Sequence, residues 1–259
     1  MLTVISPAKR LNFARQALNI APSQPEFQLD AMSLATTASR LSVAKLQALM
    51  SISPDLAKLN QGRFKAFQAE PEAEATKPAM LAFAGDTYLG LEAGTLDQDE
   101  TTYAQNHLRI LSGLYGLLRP MDLIQPYRLE MGSRLATRRG KSLYQYWGDR
   151  LARRLNETAS ETQATALINC ASIEYFSAIP TAELAIPVVT PVFLERRGNE
   201  EKIISFFAKK ARGAMARFVI QNRIDRPEGL KDFNTGGYQF RPAASDDSRL
   251  VFVRDEVPA

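Results

Sequence analysis

The chain has 259 residues, of which 45% are hydrophobic and 23% are charged, and this composition favours a folded globular protein over a disordered one. Residues 1–6 lack the basic stretch and long apolar run of a signal peptide. No apolar run approaches the roughly 20 residues of a membrane-spanning helix. We therefore expect a cytoplasmic protein without a membrane partner.

Metal and disulfide chemistry are limited by the residue counts. The chain has one cysteine, Cys170, and one histidine, His107, so it has no internal disulfide and cannot build a closed zinc site from these side chains. A two-histidine iron site is excluded for the same reason. We expect no cofactor and no tightly bound metal, although an oxygen-ligand site, for Mg²⁺ for example, stays open.

The first half of the chain predicts a strand at residues 2–6, which ends at Pro7. A helical pattern follows from about 30 to 50, with Ser42 as a cap. Residues 80–84 form a short apolar run, which predicts a buried strand. Acidic side chains at 97–100 suit a helix start, because negative charge is favourable at the positive end of the helix dipole. That helix should extend to about residue 111.

The second half predicts an amphipathic helix at 144–156 and a basic helix at 208–224. Short strands are predicted at 165–169, 187–193, 202–207 and 250–254. Strands and helices are interspersed, but without the regular spacing of a doubly wound fold. The expected fold is therefore a mixed α/β (α+β) fold, with one compact domain over residues 1–259 in which helices flank a mixed sheet.

Basic residues are concentrated in two segments, although the net charge is only +4. Residues 202–223 contain no carboxylate, and residues 134–154 contain Asp149 alone. This clustering predicts a positive face that suits a polyanion. The alternative is an ordinary solvated surface, which is the default for a charge run. The basic residues are Lys202, Lys209, Lys210, Arg212, Arg217 and Arg223 in one segment, and Arg134, Arg138, Arg139, Lys141, Arg150, Arg153 and Arg154 in the other.

Common nucleotide and hydrolase motifs are absent. Gly140-Lys141-Ser142 ends like a P-loop, but Leu135 stands where the first glycine of that motif belongs. No G-x-G-x-x-G and no G-x-S-x-G sequence occurs, and a lone histidine argues against a serine–histidine triad.

Residues 41–63 predict two helices joined by a short hairpin. The eight residues 50–57 resemble the hairpin of a helix-hairpin-helix DNA-binding motif, with Ile52, Pro54 and Ala57 in matching positions. Ser51 and Ser53 replace the two glycines that let the backbone approach a phosphate. The alternative is a helix pair that only packs on the core.

A third group of polar residues lies at predicted strand ends and in adjoining loops, where binding sites concentrate. If these residues converge, they form a cleft with several cations, carboxylates and hydroxyls. Such a cleft could hold a phosphate, with Lys9 or Glu174 as acid or base. The alternative is a set of ion pairs that only stabilise the fold. The group includes Ser6, Lys9, Arg119, Arg128, Glu130, Ser172, Glu174, Lys209 and Lys210.

Several segments, in family order along nearly the whole chain, resemble the bacterial YaaA family of peroxide-stress resistance proteins. The most specific is LSGLYGLLRPMDLIQPYRLEMG at 111–132. The resemblance implies a family-specific fold with a positively charged cleft and a helix-hairpin-helix element, and a cytosolic protein. It also implies DNA binding and a role in limiting peroxide damage and unincorporated iron. It supplies no catalytic residues. The other segments are 5–9, 83–91, 147–149, 169–176, 191–193 and 203–218.

The first hypothesis is therefore a non-enzymatic protein that binds double-stranded DNA under peroxide stress and limits oxidative DNA damage and free iron. It would contact phosphates with little sequence specificity. The second hypothesis is an enzyme acting on a nucleotide or nucleic acid, with Lys9, Glu174 and Lys209 as candidate catalytic residues. A third, direct iron sequestration, is the weakest because suitable ligands are few. The candidate DNA-binding residues are Lys9, Ser51, Ser53, Arg128, Lys209, Lys210, Arg212 and Arg217.

Overall fold

One large sheet and one small sheet form the framework of the molecule. A computed structural model describes residues 1–198 and 200–255. In chain order the strands of these residues are β1 (Leu2–Ile5), β2 (Lys77–Pro78), β3 (Leu108–Ser112), β4 (Gly116–Leu118), β5 (Leu123–Ile124), β6 (Leu167–Cys170), β7 (Val188–Arg197), β8 (Glu200–Lys202), β9 (Gln239–Phe240) and β10 (Arg249–Asp255).

The large sheet has the strand order β4-β3-β1-β6-β7-β10-β9, and β8 pairs with the end of β7. The five central strands β3, β1, β6, β7 and β10 run parallel. The remaining strands β4, β8 and β9 pair antiparallel with their neighbours. Strands β2 and β5 form a separate antiparallel pair. The predicted mixed α/β fold, a single domain with a mixed sheet, is confirmed.

Helices cover this sheet, and the longest of them packs against β1, β6 and β7. In chain order the α-helices of the described residues are α1 (Gln28–Ser39), α2 (Val43–Met50), α3 (Pro54–Ala66), α4 (Ala79–Ala82), α5 (Asp86–Leu91), α6 (Gln98–His107), α7 (Leu143–Trp147), α8 (Arg150–Glu161), α9 (Ile173–Phe176) and α10 (Ser205–Asn222).

Burial explains which apolar runs become strands. Every residue of β1, β3 and β6 is buried, as expected for parallel strands covered on both faces. Strand β7 instead alternates between buried and half-buried positions. Its buried face includes Glu195, whose carboxylate accepts hydrogen bonds from Arg254 Nε at 2.8 Å and from the Tyr238 hydroxyl.

Two predicted strands are wrong. Residues 80–84 fall largely in α4, since Ala79, Met80 and Leu81 are good helix formers and a short apolar run does not distinguish helix from strand. Of residues 202–207, only Lys202 lies in a strand, and α10 begins at Ser205. The aromatic residues of this segment favour a strand in isolation, but the tertiary packing of α10 overrides that preference.

Three helices differ from their predicted bounds, and the pattern predicted at about 30–50 is divided into α1 and α2, with Ser42 as the cap of α2. The acidic start at 97–100 is a capping box, because Asp97 and Glu100 each accept a hydrogen bond from the other's backbone N–H. This helix ends at His107 rather than near 111, because residues 108–112 pair with β1 as β3. The predicted helix at 144–156 is divided into α7 and α8 at Gly148, whose φ of +54° favours glycine.

The chain changes direction across the sheet between β1 and β6. The connection from β1 leads to β3 on one side, and the connection from β6 leads to β7 on the other. In open sheets with parallel strands, ligands bind in the crevice at such a switch point, outside the carboxyl ends of the strands. The topology therefore predicts a ligand-binding crevice between the loops that begin at Ser6 and Ala171.

Helices α5 and α10 cross at two glycines. A Cβ atom added at Gly213 would lie 1.7 Å from the Thr87 carbonyl oxygen, and one added at Gly90 would lie 2.0 Å from the Lys210 carbonyl oxygen. Both neighbours are backbone atoms, so neither can move aside as a flexible side chain would. The contact fixes α10, with its basic residues, against the segment that leads into the switch point.

We expect the substitution Gly213→Ala to lower the free energy of unfolding by about 1–3 kcal/mol or more, because the methyl group forces the two helices apart. Urea denaturation of both proteins measures this difference. The control is Gly62→Ala in α3, where an added Cβ meets no atom within 4 Å and stability should rise by up to about 1 kcal/mol. Equal stabilities of Gly213→Ala and the unsubstituted protein would contradict the prediction.

Candidate functional site

A cleft of about 620 Å³ opens at the switch point and is called here the switch-point cleft. It brings together Lys9, Glu174 and Lys209, the three candidate catalytic residues, and also Arg212. The loops after β1 and β6 are tied directly, since Ser6 Oγ accepts a hydrogen bond from the Ser172 backbone N–H at 2.9 Å. The residues lining it are Ser6–Arg10, Ala84–Thr87, Cys170, Ser172–Tyr175, Ile203, Lys209 and Arg212.

Positive charge dominates the lining, with four cations against the two carboxylates of Asp86 and Glu174. Arg212 is half-buried, and burial lowers the pKa of its guanidinium, with the neighbouring Cys170 thiol acting in the opposite direction. Among the described residues, Arg212 has no hydrogen-bond or ion-pair partner. A desolvated cation without a counter-charge is unfavourable by itself. The cleft is therefore suited to an anionic ligand at this position.

The loop after β1 meets a carboxylate that comes from the segment 127–132. Glu130 Oε1 accepts a hydrogen bond from Arg128 Nε at 2.9 Å and lies 3.6 Å from Lys9 Nζ. The side chain of Glu130 is only 12% exposed, whereas that of Lys9 is 65% exposed. Its second oxygen, Oε2, is buried and has no hydrogen-bond partner. Glu130 thus holds Arg128 and Lys9 in ion pairs beside the cleft. For these residues, the structure shows the ion pairing that was predicted as the alternative to a binding site.

Glu174 is held in place by the same segment. Its Oε1 accepts a hydrogen bond from the Gly132 backbone N–H at 3.1 Å, and its carbonyl oxygen accepts one from the Tyr144 hydroxyl at 2.8 Å. The residue lies in the short helix α9 directly after β6. The geometry holds the Glu174 carboxylate in the lining that Lys209 and Arg212 also contribute to.

Buried tyrosines lie beneath and beside the cleft. Burial raises the pKa of Tyr88, Tyr127 and Tyr175 above the ordinary value, with smaller contributions from neighbouring groups. The Tyr88 hydroxyl donates to the Ser6 carbonyl oxygen at 3.1 Å, which supports the loop after β1. These phenols stay neutral at physiological pH, so they do not offset the positive charge of the lining.

Two of the candidate residues on α10 lie outside the cleft lining. Lys210 is exposed. Arg217 Nη1 donates to the carbonyl oxygens of Leu91 at 3.1 Å and Glu92 at 3.0 Å, at the end of α5. Arg217 therefore caps α5, since side-chain cations satisfy the last carbonyl groups of a helix.

The basic segment 134–154 finds its acids elsewhere in the chain. Asp30 pairs with both Arg139 and Arg150, and Arg154 pairs with Glu26. Arg153 pairs with Asp149, the one local acid. Tyr146 and Trp147 of the same segment are buried in the core. The segment 134–154 therefore carries less unpaired positive charge than its local sequence suggests.

The predicted helix pair at 41–63 is present as α2 and α3, with Ile52 and Ala57 buried as expected. Ser51 adopts a left-handed conformation with φ of +51°, at a position where the motif has glycine. Ser53 caps α3 by accepting from the Leu56 backbone N–H at 3.4 Å. Helix α3 packs against α1 and α2. The structure shows the helix pair; its contact with DNA stays a prediction.

A second cavity, of about 540 Å³, adjoins the switch-point cleft and has a largely apolar lining. It is called here the apolar cavity. Sequence reasoning missed it, because its walls come from α9, β7 and α10 and from apolar residues that look like ordinary core. Both cavities are lined by Ile173, Ile203 and Arg212.

The described ranges contain no group of three or more histidine, cysteine, aspartate or glutamate side chains placed to hold a metal ion. In the same ranges, no helix combines the length and apolar character needed to cross a membrane.

We expect hydrogen peroxide to leave Cys170 unoxidised in the folded protein. Burial raises the pKa of this thiol to about 12, although Arg212 opposes the shift, and the thiolate is the form that reacts with peroxide. Peptide mass spectrometry after peroxide treatment should find the Cys170 peptide without added oxygen. The guanidinium-unfolded chain is the control and should react. A sulfenic or sulfinic acid at Cys170 in the folded protein would contradict this expectation.

Comparison with known proteins identifies the family. The family described as peroxide stress protein YaaA matches residues 1–244. A UPF0246 protein of Dinoroseobacter shibae is 59% identical over 254 residues, which cover 98% of this chain and 95% of that protein. A UPF0246 protein of Roseobacter denitrificans is 57% identical over 256 residues, or 98% of each chain. A UPF0246 protein of Jannaschia sp. is 59% identical over 256 residues, which cover 99% of this chain and 98% of that protein. The chain therefore belongs to the family of the peroxide stress protein YaaA.

Proposed function

We propose that this member of a peroxide stress family binds the phosphate backbone of double-stranded DNA in the cytosol, and so limits oxidative damage to DNA and the effects of free iron. The observation that carries the proposal is Arg212, a half-buried guanidinium that faces the switch-point cleft without a partner among the described residues. A phosphate oxygen supplies the counter-charge and the hydrogen-bond acceptors that this side chain lacks.

The neighbouring cations extend the same chemistry along the surface. Lys9, Arg10 and Lys209 line the cleft with Arg212, and Arg128 lies beside Lys9 across Glu130. Cations on separate segments suit a ligand with repeated charges, such as a nucleic-acid backbone. Phosphate contacts position a protein without reading sequence. We therefore propose binding that is largely independent of base sequence.

The two proposed DNA contacts, the hairpin and α10, differ in the groups that they offer to a phosphate. At the hairpin, Pro54 has no N–H and the Leu56 N–H is bonded to Ser53. This leaves the N–H groups of Ser53 and Asp55 for a phosphate, beside the repulsive carboxylate of Asp55. On α10, Lys209 and Lys210 are exposed. The cleft and α10 therefore make the main contact in this proposal, and the hairpin a weaker one.

A second candidate function is an enzyme acting on a nucleotide or nucleic acid. The placement of the candidate residues favours it, since Lys9, Glu174 and Lys209 line one cavity at the carboxyl ends of β1 and β6, the place where such folds bind small ligands. Chemical analysis of the ligand after incubation separates the two candidates. Unchanged recovery of the DNA and of any free nucleotide favours binding alone.

DNA affinity should fall steeply with salt, and removing two cleft cations should reduce that dependence. Each phosphate contact contributes about 0.9 to the slope of log K against log salt. The double substitution Lys209→Gln and Arg212→Gln should therefore reduce the slope by roughly 1.8 if each side chain contacts one phosphate. Fluorescence anisotropy with a fully paired duplex, at several salt concentrations, measures the slope.

The matched control is Arg226→Gln with Lys231→Gln, two exposed cations outside the cleft lining. These substitutions make the same change in net charge and should leave the slope close to that of the unsubstituted protein. Equal slopes in the two double variants would mean that the cleft contributes nothing beyond net charge, and the proposal would fail.

The hairpin contact is tested by Asp55→Asn. The change removes a negative charge from the first turn of α3, where it would lie beside a bound phosphate, and should tighten DNA binding about 2- to 5-fold. Asp99→Asn is the matched control, because Asp99 is an exposed acid in the first turn of α6 and its loss should not alter affinity. If both variants bind like the unsubstituted protein, residues 51–57 only pack against the core.

A further inference from the structure

The junction between the switch-point cleft and the apolar cavity carries two exposed apolar side chains beside a cation. Ile173 and Ile203 are 85% and 58% exposed, and both line both cavities, as Arg212 does. Single exposed apolar side chains are common on protein surfaces. Two of them at the mouth of an apolar cavity, beside an unpartnered guanidinium, are a specific combination that suits an amphipathic ligand.

The apolar cavity has the size and lining of a small-ligand site. Its volume of about 540 Å³ falls within the roughly 300–1,000 Å³ typical of such pockets. Its apolar walls include Phe176, Ile179 and Val192. A flat apolar group that enters from the junction would bury these surfaces together with the exposed faces of the two isoleucines.

A buried amide supplies polar recognition in this cavity. Asn169 is 8% exposed and lines the cavity. Its Oδ1 accepts from the Ala171 backbone N–H at 3.0 Å, and its Nδ2 donates to Thr190 Oγ1 at 3.4 Å. An amide side chain has two N–H donors and two acceptor lone pairs. Asn169 therefore keeps one donor and one acceptor site, a pair that matches the edge of a nucleobase.

We propose that the apolar cavity binds one nucleobase and that its phosphate lies on Arg212 and Lys209. The ligand is a nucleotide, either an unpaired nucleotide extruded from DNA or a free nucleoside monophosphate. The base enters between Ile173 and Ile203, and its edge bonds to Asn169. If the nucleotide is one extruded from DNA, this inference rests on the proposed function, because it adds a single-nucleotide site to the phosphate-binding cleft.

The experiment compares two duplexes of equal length and sequence, one fully paired and one with a single bulged adenine, at one salt concentration. Apolar and stacking contacts to one base strengthen binding of an unpaired nucleotide, so the bulged duplex should bind roughly tenfold tighter. The variant Ile173→Ser with Ile203→Ser should lose this preference. Titration calorimetry with adenosine monophosphate provides the arm for a free nucleotide.

The matched control is Leu18→Ser with Leu29→Ser, two exposed apolar residues that line neither cavity, at 41% and 82% exposure. This variant should retain the preference for the bulged duplex. Preference for the bulge supports an extruded nucleotide, and isoleucine-dependent binding of adenosine monophosphate alone supports a free one. If neither ligand depends on the two isoleucines, the proposal is overturned.

The failure of this inference is distinguishable from the failure of DNA binding. Binding of the paired duplex with the expected salt slope, but without isoleucine-dependent recognition of a nucleotide, overturns the base site alone. If the unsubstituted protein self-associates in solution and the Ile173→Ser, Ile203→Ser variant does not, without an effect on nucleotides, the junction is instead a contact with a second copy of this chain, and the base site is also overturned.

Discussion

The parallel pairing of β1 with β6 is the constraint on which the candidate site depends. These strands are far apart in sequence, yet Val4 pairs with Asn169 and Ile5 with Cys170. Parallel strands in register end at the same edge of a sheet, so the loops that follow them meet there. Ser6 then bonds across the gap to the second loop. A one-residue slip would move every side chain of β1 to the opposite face of the sheet, so the packing that fixes the register also fixes the cleft.

Several buried charges in this protein are paired or hydrogen-bonded, whereas Arg212 has no such partner among the described residues. Buried Asp122 is bonded to Arg119 and Ser23, and buried Lys77 donates to the carbonyl oxygens of Asn12 and Ala14. Buried charges in folded proteins are paired or hydrogen-bonded, because an unpaired charge loses its hydration without compensation. Arg212 departs from the pattern within the described residues, at the point where the topology places a ligand crevice. A half-buried cation without a partner in a cleft at the carboxyl ends of parallel strands suits ligand binding better than it suits stability.

The rigid part of the molecule and the proposed binding surface share one helix. Helix α10 is held by the glycine contact with α5 and by Arg217, which caps α5. Its other side presents Lys209 and Arg212 to the cleft. A fixed helix keeps the backbone of these residues in place when an anion binds, so no backbone ordering is needed. The same packing that stabilises the fold therefore preorganises the cations.

The sequence by itself determined the mixed α/β class, the buried strands at the start of the chain and near residue 167, the Ser42 cap and the basic helix. It also placed Lys9, Glu174 and Lys209 at strand ends and in a helix that follows a strand, because apolar periodicity and turn residues are local signals. Short apolar runs were ambiguous for the same reason, and residues 80–84 proved helical.

Only the tertiary structure decided which charges are free and which cavities exist. Asp30 pairs with Arg139 and Arg150 across more than a hundred residues of sequence, so the basic segment 134–154 is less positive than its local composition. Ile173 and Ile203 share one junction although they belong to different elements. Contacts of this kind are set by the packing of whole elements in three dimensions, and a local sequence pattern carries no record of that packing.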